Sequence, residues 1–278
     1  MATENIDRTT HDSKATRFWA NMGLSVRDGM KMHRLSGQLE KGPDSWRNVP
    51  QHCLVQVARA ETLGRWVGLP DPLIADMKMG SFLHDFAKKQ EITITREANT
   101  SGGSPLSAVN AEHEKSESLL RQVGFNNRII RLAGSVGGLV PQLTETQRIL
   151  DKTTLSDDEL AYLIVHYVDD CSIGSDWVKP SVVDEDGSIN IIDYRARGLR
   201  ANSTYNIISQ EVTEELSGYP EFEGMDNIEA WSLVSHRIER RLAERISETT
   251  GETLDPYFIP ELVDQKIREA IERYPEVS

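Results

Sequence analysis

Apolar residues recur every three or four positions through most of this chain, which is the spacing of one buried helix face. A helix is predicted from about residue 51 to 67, with an apolar side formed by Leu54, Val57, Ala58, Leu63, Trp66 and Val67. Asp71-Pro72 predicts the start of the next helix, because proline is well placed in a first helical turn. The apolar pattern carries that helix as far as His84.

The same periodicity predicts helices over 14–38, 110–122, 126–136 and 227–249, and another from Pro260 onward. In the 110–122 helix, Leu119 and Leu120 are expected to face inward. A further helix begins at Ser156 and runs to about residue 171. Ser156 and Glu159 have the spacing of a capping box, in which each side chain satisfies a free backbone N–H group. These segments together predict an all-α fold.

Two segments break the helical pattern. The alternation at 92–95 predicts a short strand, and the Gly- and Ser-rich stretch 99–105 predicts a loop that is either plain solvent-exposed chain or an access flap. The stretch 182–192 predicts a β-hairpin around Asp186-Gly187, a strong short turn signal. The all-α fold therefore carries a small β insertion.

Charge and composition exclude several classes of protein. The formal net charge is −13, so the chain lacks the overall excess of lysine and arginine with which proteins bind nucleic-acid polymers. No stretch approaches the roughly 20 apolar residues of a membrane span, and the N-terminus lacks a signal pattern. Cys53 and Cys171 are too few for a disulfide framework and are interpreted as buried core residues. A cytoplasmic protein is expected.

The residues with most chemical interest are His52, the pair His84-Asp85, and Asp169. Each is predicted near a helix end, where neighbouring side chains can be presented to one point. Two imidazoles and two carboxylates form a mixed nitrogen and oxygen set suited to a divalent cation. Spacing alone does not establish that the four residues meet.

In this order the four residues resemble the His…His-Asp…Asp signature of the HD superfamily of metal-dependent phosphohydrolases. Three blocks carry the resemblance: an apolar-His-Asp-x-x-Lys block, a helix with His113 that ends at a glycine, and an apolar run that delivers the last aspartate. They lie at 82–88, 112–125 and 163–169. The resemblance covers about residues 50–172. It implies an HD-domain helical bundle at 46–175, an N-terminal helical extension at 1–45, and a hairpin with C-terminal helices packed on the core at 176–278.

The resemblance also implies roles for individual residues. The metal ligands would be His52, His84, Asp85 and Asp169, with Asp85 as the central carboxylate. Lys88 would steady the substrate phosphate or hold Asp85 in place. His113 would contact the phosphate, donate a proton or bind a second metal.

The chain departs from the family pattern in the stretch 131–138, where members with two metals carry a further histidine. One divalent ion is therefore favoured, with manganese, iron, cobalt, nickel, zinc and magnesium left open. His166 is interpreted as a buried, hydrogen-bonded residue, or else as a replacement ligand. Asp170 competes with Asp169 for the ligand role, and the family register favours Asp169.

The expected function is hydrolysis of a small phosphorylated substrate, with a nucleotide as the favoured class, through a metal-activated water. Arg195 and Arg197 are either additional substrate contacts or solvated charges. The alternatives are an iron-dependent oxygenase of the same superfamily, which generally has a richer histidine set, and a non-catalytic ligand-sensing or scaffold protein. The C-terminal hundred residues leave room for a homo-oligomer contact.

Overall fold

The computed structural model describes residues 24–39, 48–173, 176–177, 182–183, 189–190 and 203–273. These described residues form eleven α-helices and four two-residue strands. The helices are α1 (Leu24–Leu35), α2 (Asn48–Trp66), α3 (Asp71–Leu83), α4 (Lys88–Ser101), α5 (Pro105–Val123), α6 (Asn127–Ala133), α7 (Val140–Leu150), α8 (Asp157–Asp170), α9 (Ser203–Leu216), α10 (Asn227–Thr250) and α11 (Ile259–Glu272). The strands are β1 (Ser172–Ile173), β2 (Asp176–Trp177), β3 (Val182–Val183) and β4 (Ile189–Asn190).

Helix α3 lies at the centre and contacts α1, α2, α6 and α8. Its sequence accounts for this position, because a helix that is apolar around most of its circumference is stable only when neighbours cover every side. Its fully or nearly fully buried apolar residues are Leu73, Ile74, Met77, Met79, Phe82 and Leu83. The central position of α3 places its C-terminal end, and the following His84, among the helices that carry the other candidate ligands.

Gly80 allows α6 to approach α3 closely. A Cβ atom at this position would lie 2.5 Å from the Cβ atom of Leu132 and 3.2 Å from the backbone nitrogen of Ala133. Backbone and Cβ atoms cannot move aside as the end of a flexible side chain can, so glycine is required here. The contact fixes the last turn of α3, one turn before His84.

Helix α2 packs against α3, α8 and α11. Its Arg59 is 1% exposed, and the guanidinium Nε lies 3.2 Å from Oδ1 of Asp264 in α11. The same guanidinium donates a 2.8 Å hydrogen bond to the hydroxyl of Ser172, just after α8. A buried guanidinium is stable only with such partners, so this contact joins the first half of the chain to its last helix.

The sequence predicted α2, α3, α8, α10 and α11 within a few residues of their observed ends. The capping box is present, because the Ser156 hydroxyl accepts from the Glu159 amide and the Glu159 carboxylate accepts from the Ser156 amide. Gly251, with φ of 75°, ends α10 in the left-handed conformation that glycine adopts without strain. The all-α class is thus confirmed.

The strand predicted at 92–95 is wrong, because this segment lies in α4. Ile92 and Thr95 are buried three positions apart, as on a helix face, and α4 packs against α5. The Thr95 hydroxyl donates to the Glu91 carbonyl one turn earlier, so the β-branched residue satisfies its polar atom within the helix. Alternation of isoleucine and threonine therefore did not indicate an extended chain.

The loop predicted at 99–105 is shorter than expected, because α4 continues to Ser101 and α5 begins at Pro105. Its end is held in place, since the Ser104 hydroxyl donates a 2.6 Å hydrogen bond to Glu211 of α9. Leu120 is buried as predicted, but Leu119 is 42% exposed. Adjacent helical residues point about 100° apart, so only one of the two leucines faces the core.

Three helices had no counterpart in the sequence prediction: α4, α7 and α9. Helix α7 buries polar residues among its apolar ones, including Gln142, Thr146 and Gln147, which obscures the periodic pattern. Helix α9 does carry a clear stripe, in which Ile208, Val212 and Leu216 are buried four residues apart.

The short strands form two antiparallel pairs, β1 with β2 and β3 with β4. In the second pair Val183 lies opposite Ile189. The turn at Asp186-Gly187 lies outside the described residues, so the hairpin around it stays a prediction. The start of the predicted 14–38 helix also lies outside them. No described helix combines the length and apolar character needed to cross a membrane.

Candidate metal centre

Three of the predicted ligands come from three different helices and meet at one point. His52 lies in the first turns of α2, His84 follows α3, and Asp169 is near the end of α8. The Oδ1 atom of Asp169 lies 3.1 Å from Nε2 of His52 and 3.3 Å from Nε2 of His84. One ligand atom of each residue lies within 4.8 Å of the other two, so this trio could hold a metal ion.

The separations suit a shared ion. Two atoms bonded at about 2.1 Å to one ion, with angles between 90° and tetrahedral, lie roughly 3.0–3.4 Å apart. The two measured separations from Asp169 Oδ1 fall in this range. The helix packing therefore sets the ligand atoms at distances that a divalent cation can bridge.

His84 is oriented for ligation by its own helix. Its Nδ1 lies 2.7 Å from the Ser81 carbonyl oxygen. Because a carbonyl only accepts, Nδ1 donates, and the lone pair of the neutral ring is then on Nε2. This Nε2 atom is buried and has no well-directed hydrogen bond. A buried lone pair that faces a carboxylate and a second imidazole is the feature that a cation would satisfy.

Asp85 lies beside the trio. Its Oδ2 atom is 3.5 Å from Nε2 of His84, and its Oδ1 atom is 3.6 Å from Nζ of Lys88. Its backbone carbonyl, with that of Phe86, accepts hydrogen bonds of 2.7 Å from the buried Gln38 amide. Asp85 is therefore fixed at the edge of the candidate ion position, between His84 and Lys88.

A fourth side chain at the centre was not found from the sequence. The terminal nitrogen of Gln56 lies 2.5 Å from both Nε2 of His52 and Oδ1 of Asp169. Gln56 is 0% exposed, and its Oε1 atom has no hydrogen-bond partner. A signal was available, since a residue four positions after His52 lies on the same face of a helix.

The ionisation states of the trio depend on one another. Burial lowers the pKa of His52, but the Asp169 carboxylate outweighs this and raises the pKa to about 9. Burial likewise opposes the charged form of His84, while negative charge on Cys53, Asp85 and Asp169 raises its pKa well above the usual value. For Asp169, burial acts to raise the pKa, and the two imidazoles hold it well below its ordinary range.

The centre opens on a cavity of about 250 Å³. The residues that line it include His84, Asp85, Asp169, Lys88, Glu91 and His113. The Lys88 ammonium lies 2.9 Å from Glu91, and the 36% exposed His113 lies 3.4 Å from the same carboxylate. Both side chains that the sequence assigned to a phosphate therefore face the cavity, and Glu91 is their common partner.

Charges of opposite sign also set the ionisation of Lys88 and Asp85 at the cavity. Burial opposes the charged form of Lys88, but Glu91 and Asp85 raise the pKa of its ammonium above the ordinary lysine value. Burial acts against ionised Asp85, and Lys88 and His84 hold its pKa below the usual aspartate range. Lys88 is therefore a permanent cation in the cavity.

His166 and Asp170 lie apart from the trio. The Nδ1 atom of His166 lies 2.5 Å from the Ser135 carbonyl, and its Nε2 atom lies 2.9 Å from Oδ2 of Asp170. Asp170 also accepts a hydrogen bond from Ser235 of α10. His166 is thus a buried histidine with polar partners, and Asp169 rather than Asp170 lies with the candidate ligands.

Cys53 and Cys171 are both fully buried, as predicted. Burial raises the pKa of the Cys53 thiol, but His84 and His33 outweigh it and lower the pKa to about 7. Arg195 and Arg197 lie outside the described residues, so their relation to the cavity stays a prediction.

Comparisons with known proteins match the chain to no family model, no curated protein and no solved structure.

Proposed function

We propose that this protein is a metal-dependent phosphohydrolase of the HD type, acting on a small phosphorylated substrate, with a nucleotide as the favoured class. One divalent ion would be held by His52, His84 and Asp169, with Asp85 beside it. The observation that carries the proposal is a trio of ligand atoms that meet at one point, beside a cavity lined by His84, Asp169 and Lys88.

A bound divalent ion would lower the pKa of a water molecule and polarise a phosphoryl oxygen. The protein's own contribution is to hold the reacting groups in place. Ser81 keeps the His84 ring in the tautomer that offers Nε2 to the centre. Lys88 is placed to attract a phosphoryl oxygen, since its ammonium lies within 3.6 Å of Asp85 at the edge of the trio.

The cavity's charge favours a substrate with few phosphates. Among the described residues that line it, Lys88 is the single lysine or arginine, and several carboxylates lie around it. A polyphosphate would bring more negative charge than one ammonium and one ion can balance. The apolar part of the wall, which includes Val136, Leu139, Ile208 and Trp231, suits the uncharged part of a substrate.

The oxygenase alternative has less support. Relatives with that chemistry generally carry a richer histidine set, but the other buried histidines in the described part of the chain are engaged elsewhere. His166 contacts Ser135 and Asp170, and His33 contacts Gln38 and the Phe82 carbonyl. The scaffold alternative gives no role to a buried lone pair that faces a cavity.

The test combines metal content with phosphate release. We expect elemental analysis of the purified protein to find about one transition-metal ion per chain, and a panel of nucleotides to include one that releases inorganic phosphate. An Asp85→Ala variant should lose that release. Metal-loaded protein without phosphate release from any phosphorylated compound would overturn the proposal, and oxygen consumption with bound iron would favour the oxygenase.

Lys88 offers a sharper variant. Lys88→Met should lower kcat/KM at least tenfold and leave the metal content unchanged, because the ammonium binds substrate rather than the ion. Lys31→Met is the matched control, since Lys31 pairs with an aspartate three residues earlier just as Lys88 does, but at an exposed position outside the cavity. Equal values of kcat/KM for the two variants would show that Lys88 does not bind the substrate.

A further inference from the structure

Gln56 lies at the candidate metal centre without a satisfactory set of partners. It is fully buried in α2, one turn after His52, and its amide end points at His52 and Asp169. With the nitrogen placed toward these two residues, the Oε1 atom is left buried without a hydrogen bond. An unsatisfied buried polar atom destabilises the folded protein, so this arrangement requires an explanation.

The two contacts of the Gln56 amide nitrogen are also too short for ordinary hydrogen bonds. Both distances from the amide nitrogen are 2.5 Å, below the 2.7–3.2 Å that hydrogen bonds from N–H groups usually span. The oxygen and nitrogen of a side-chain amide have nearly the same shape, so either atom can take this position. With the oxygen there and the His52 ring neutral, the lone pairs of an amide, an imidazole and a carboxylate converge, and a bound cation satisfies all three.

We infer that Gln56 is a ligand of the same ion, through its Oε1 atom, together with His52, His84 and Asp169. The inference rests on the metal centre proposed above and adds a residue to it. The amide oxygen needs only a small outward shift to reach the spacing of two ligands on one ion, and a glutamine side chain has the freedom to make it.

The resulting donor set bears on the choice of metal. Two imidazole nitrogens, a carboxylate oxygen and an amide oxygen form a harder set than the thiolate-rich sites typical of structural zinc. Amide carbonyls are characteristic ligands of harder cations. Manganese, ferrous iron and cobalt therefore suit this centre, and cobalt is a convenient probe because its visible absorption reports on its ligands.

The experiment measures cobalt binding to the 278-residue chain after chelation and dialysis, by calorimetry and visible absorption. Gln56→Leu should bind cobalt on the order of 10–100-fold more weakly than the wild type, with a changed absorption band. Gln147→Leu is the matched control, because Gln147 is also buried with an unpartnered Oε1 atom but contacts Asp151 outside the centre. It should bind cobalt as the wild type does.

A second variant separates ligation from hydrogen bonding. Glutamate has the shape of glutamine and offers oxygen, so Gln56→Glu should keep or increase the affinity for cobalt if Gln56 is a ligand. If Gln56 only donates to Asp169, the glutamate variant should lose affinity as the leucine variant does, and this result would overturn the inference. Circular dichroism of each variant checks folding, and the glutamate variant decides the question alone if Gln56→Leu does not fold.

Two further outcomes separate the role of Gln56 from the existence of the metal centre. A wild-type protein that binds cobalt, with a Gln56→Leu variant that binds it equally well, would overturn the role of Gln56 and leave the metal centre in place. A wild-type protein that binds no cobalt would overturn both.

Discussion

Asp169 and Asp170 are adjacent at the end of α8, and both lie next to histidine, but they belong to different environments. The side chain of Asp169 is 17% exposed, whereas that of Asp170 is fully buried. Asp169 has two imidazoles within 3.3 Å and lines the cavity. Asp170 contacts one imidazole and the Ser235 hydroxyl, both in the interior.

The comparison shows what distinguishes a candidate metal centre from a structural histidine–aspartate pair. Both pairs have an imidazole that contacts a backbone carbonyl through Nδ1, at Ser81 for His84 and at Ser135 for His166. The difference is the second imidazole and the opening to solvent. An ion can reach Asp169 and find several ligands, while the partners of Asp170 hold two helices together.

The largest expected effect separates the two aspartates by metal binding. Asp169→Asn should lower the affinity for cobalt by about 100-fold or more, because it removes the carboxylate that lies beside both imidazoles of the trio. Asp170→Asn should keep one ion per chain. Calorimetric titration of both variants makes the measurement, and a lower stoichiometry for Asp170→Asn than for Asp169→Asn would reverse the assignment.

The next-largest effect separates Asp169 and Asp170 by their contribution to the free energy of unfolding. Asp170→Ala should lower the free energy of unfolding by about 3 kcal/mol, since it leaves His166 buried without its carboxylate. Asp169→Ala should cost less in the chelated protein, because its neighbourhood is partly open to water. Urea unfolding with EDTA present gives both values. Equal losses would show that the two aspartates have the same structural role.

A third prediction uses pH. In the chelated protein the pKa of His52 is raised to about 9, so the stability from its pair with Asp169 is fully present below about pH 6.5 and lost as pH rises through 9. The loss between pH 7 and 9.5 should be about 2 kcal/mol. With metal the sign reverses, because ligation requires neutral imidazole and the ion's stabilisation falls with acid. Thermal unfolding across pH, with and without cobalt, distinguishes the two states, and an Asp169→Asn variant should lose the alkaline decline.

The smallest expected effect concerns the start of α8, the helix that carries both aspartates. Ser156→Ala removes the cap of α8 and should lower the free energy of unfolding by about 1 kcal/mol. Because the aspartates lie at the opposite end of the helix, cobalt stoichiometry should not change. A change in stoichiometry would mean that the position of Asp169 depends on the whole length of α8.

The sequence predicted the parts of this fold that rest on local signals. Helix starts at Asp71-Pro72 and Ser156, and the end of α10 at Gly251, follow from residues that act on their own neighbourhood. The strand predicted at 92–95 failed because packing against α5 selected the helix, which no local pattern records.

The candidate site could likewise be predicted only in part. The order of His52, His84-Asp85 and Asp169 could be recognised, but spacing could not show that they meet, since this depends on how α2, α3 and α8 pack. Gln56 was missed because its spacing of four residues from His52 indicates a shared helix face, and that alone does not distinguish a ligand from other polar residues until its neighbours are known.

The contact between Arg59 and Asp264 has a consequence for anyone who shortens this chain. A fragment that stops near residue 175 would retain every candidate ligand, yet it would remove the carboxylate beside a guanidinium that is 1% exposed. That guanidinium lies two turns beyond His52 on the same helix. The last described helix is thus coupled to the first candidate ligand, and a minimal fragment that keeps the candidate ligands would have to replace Arg59 as well.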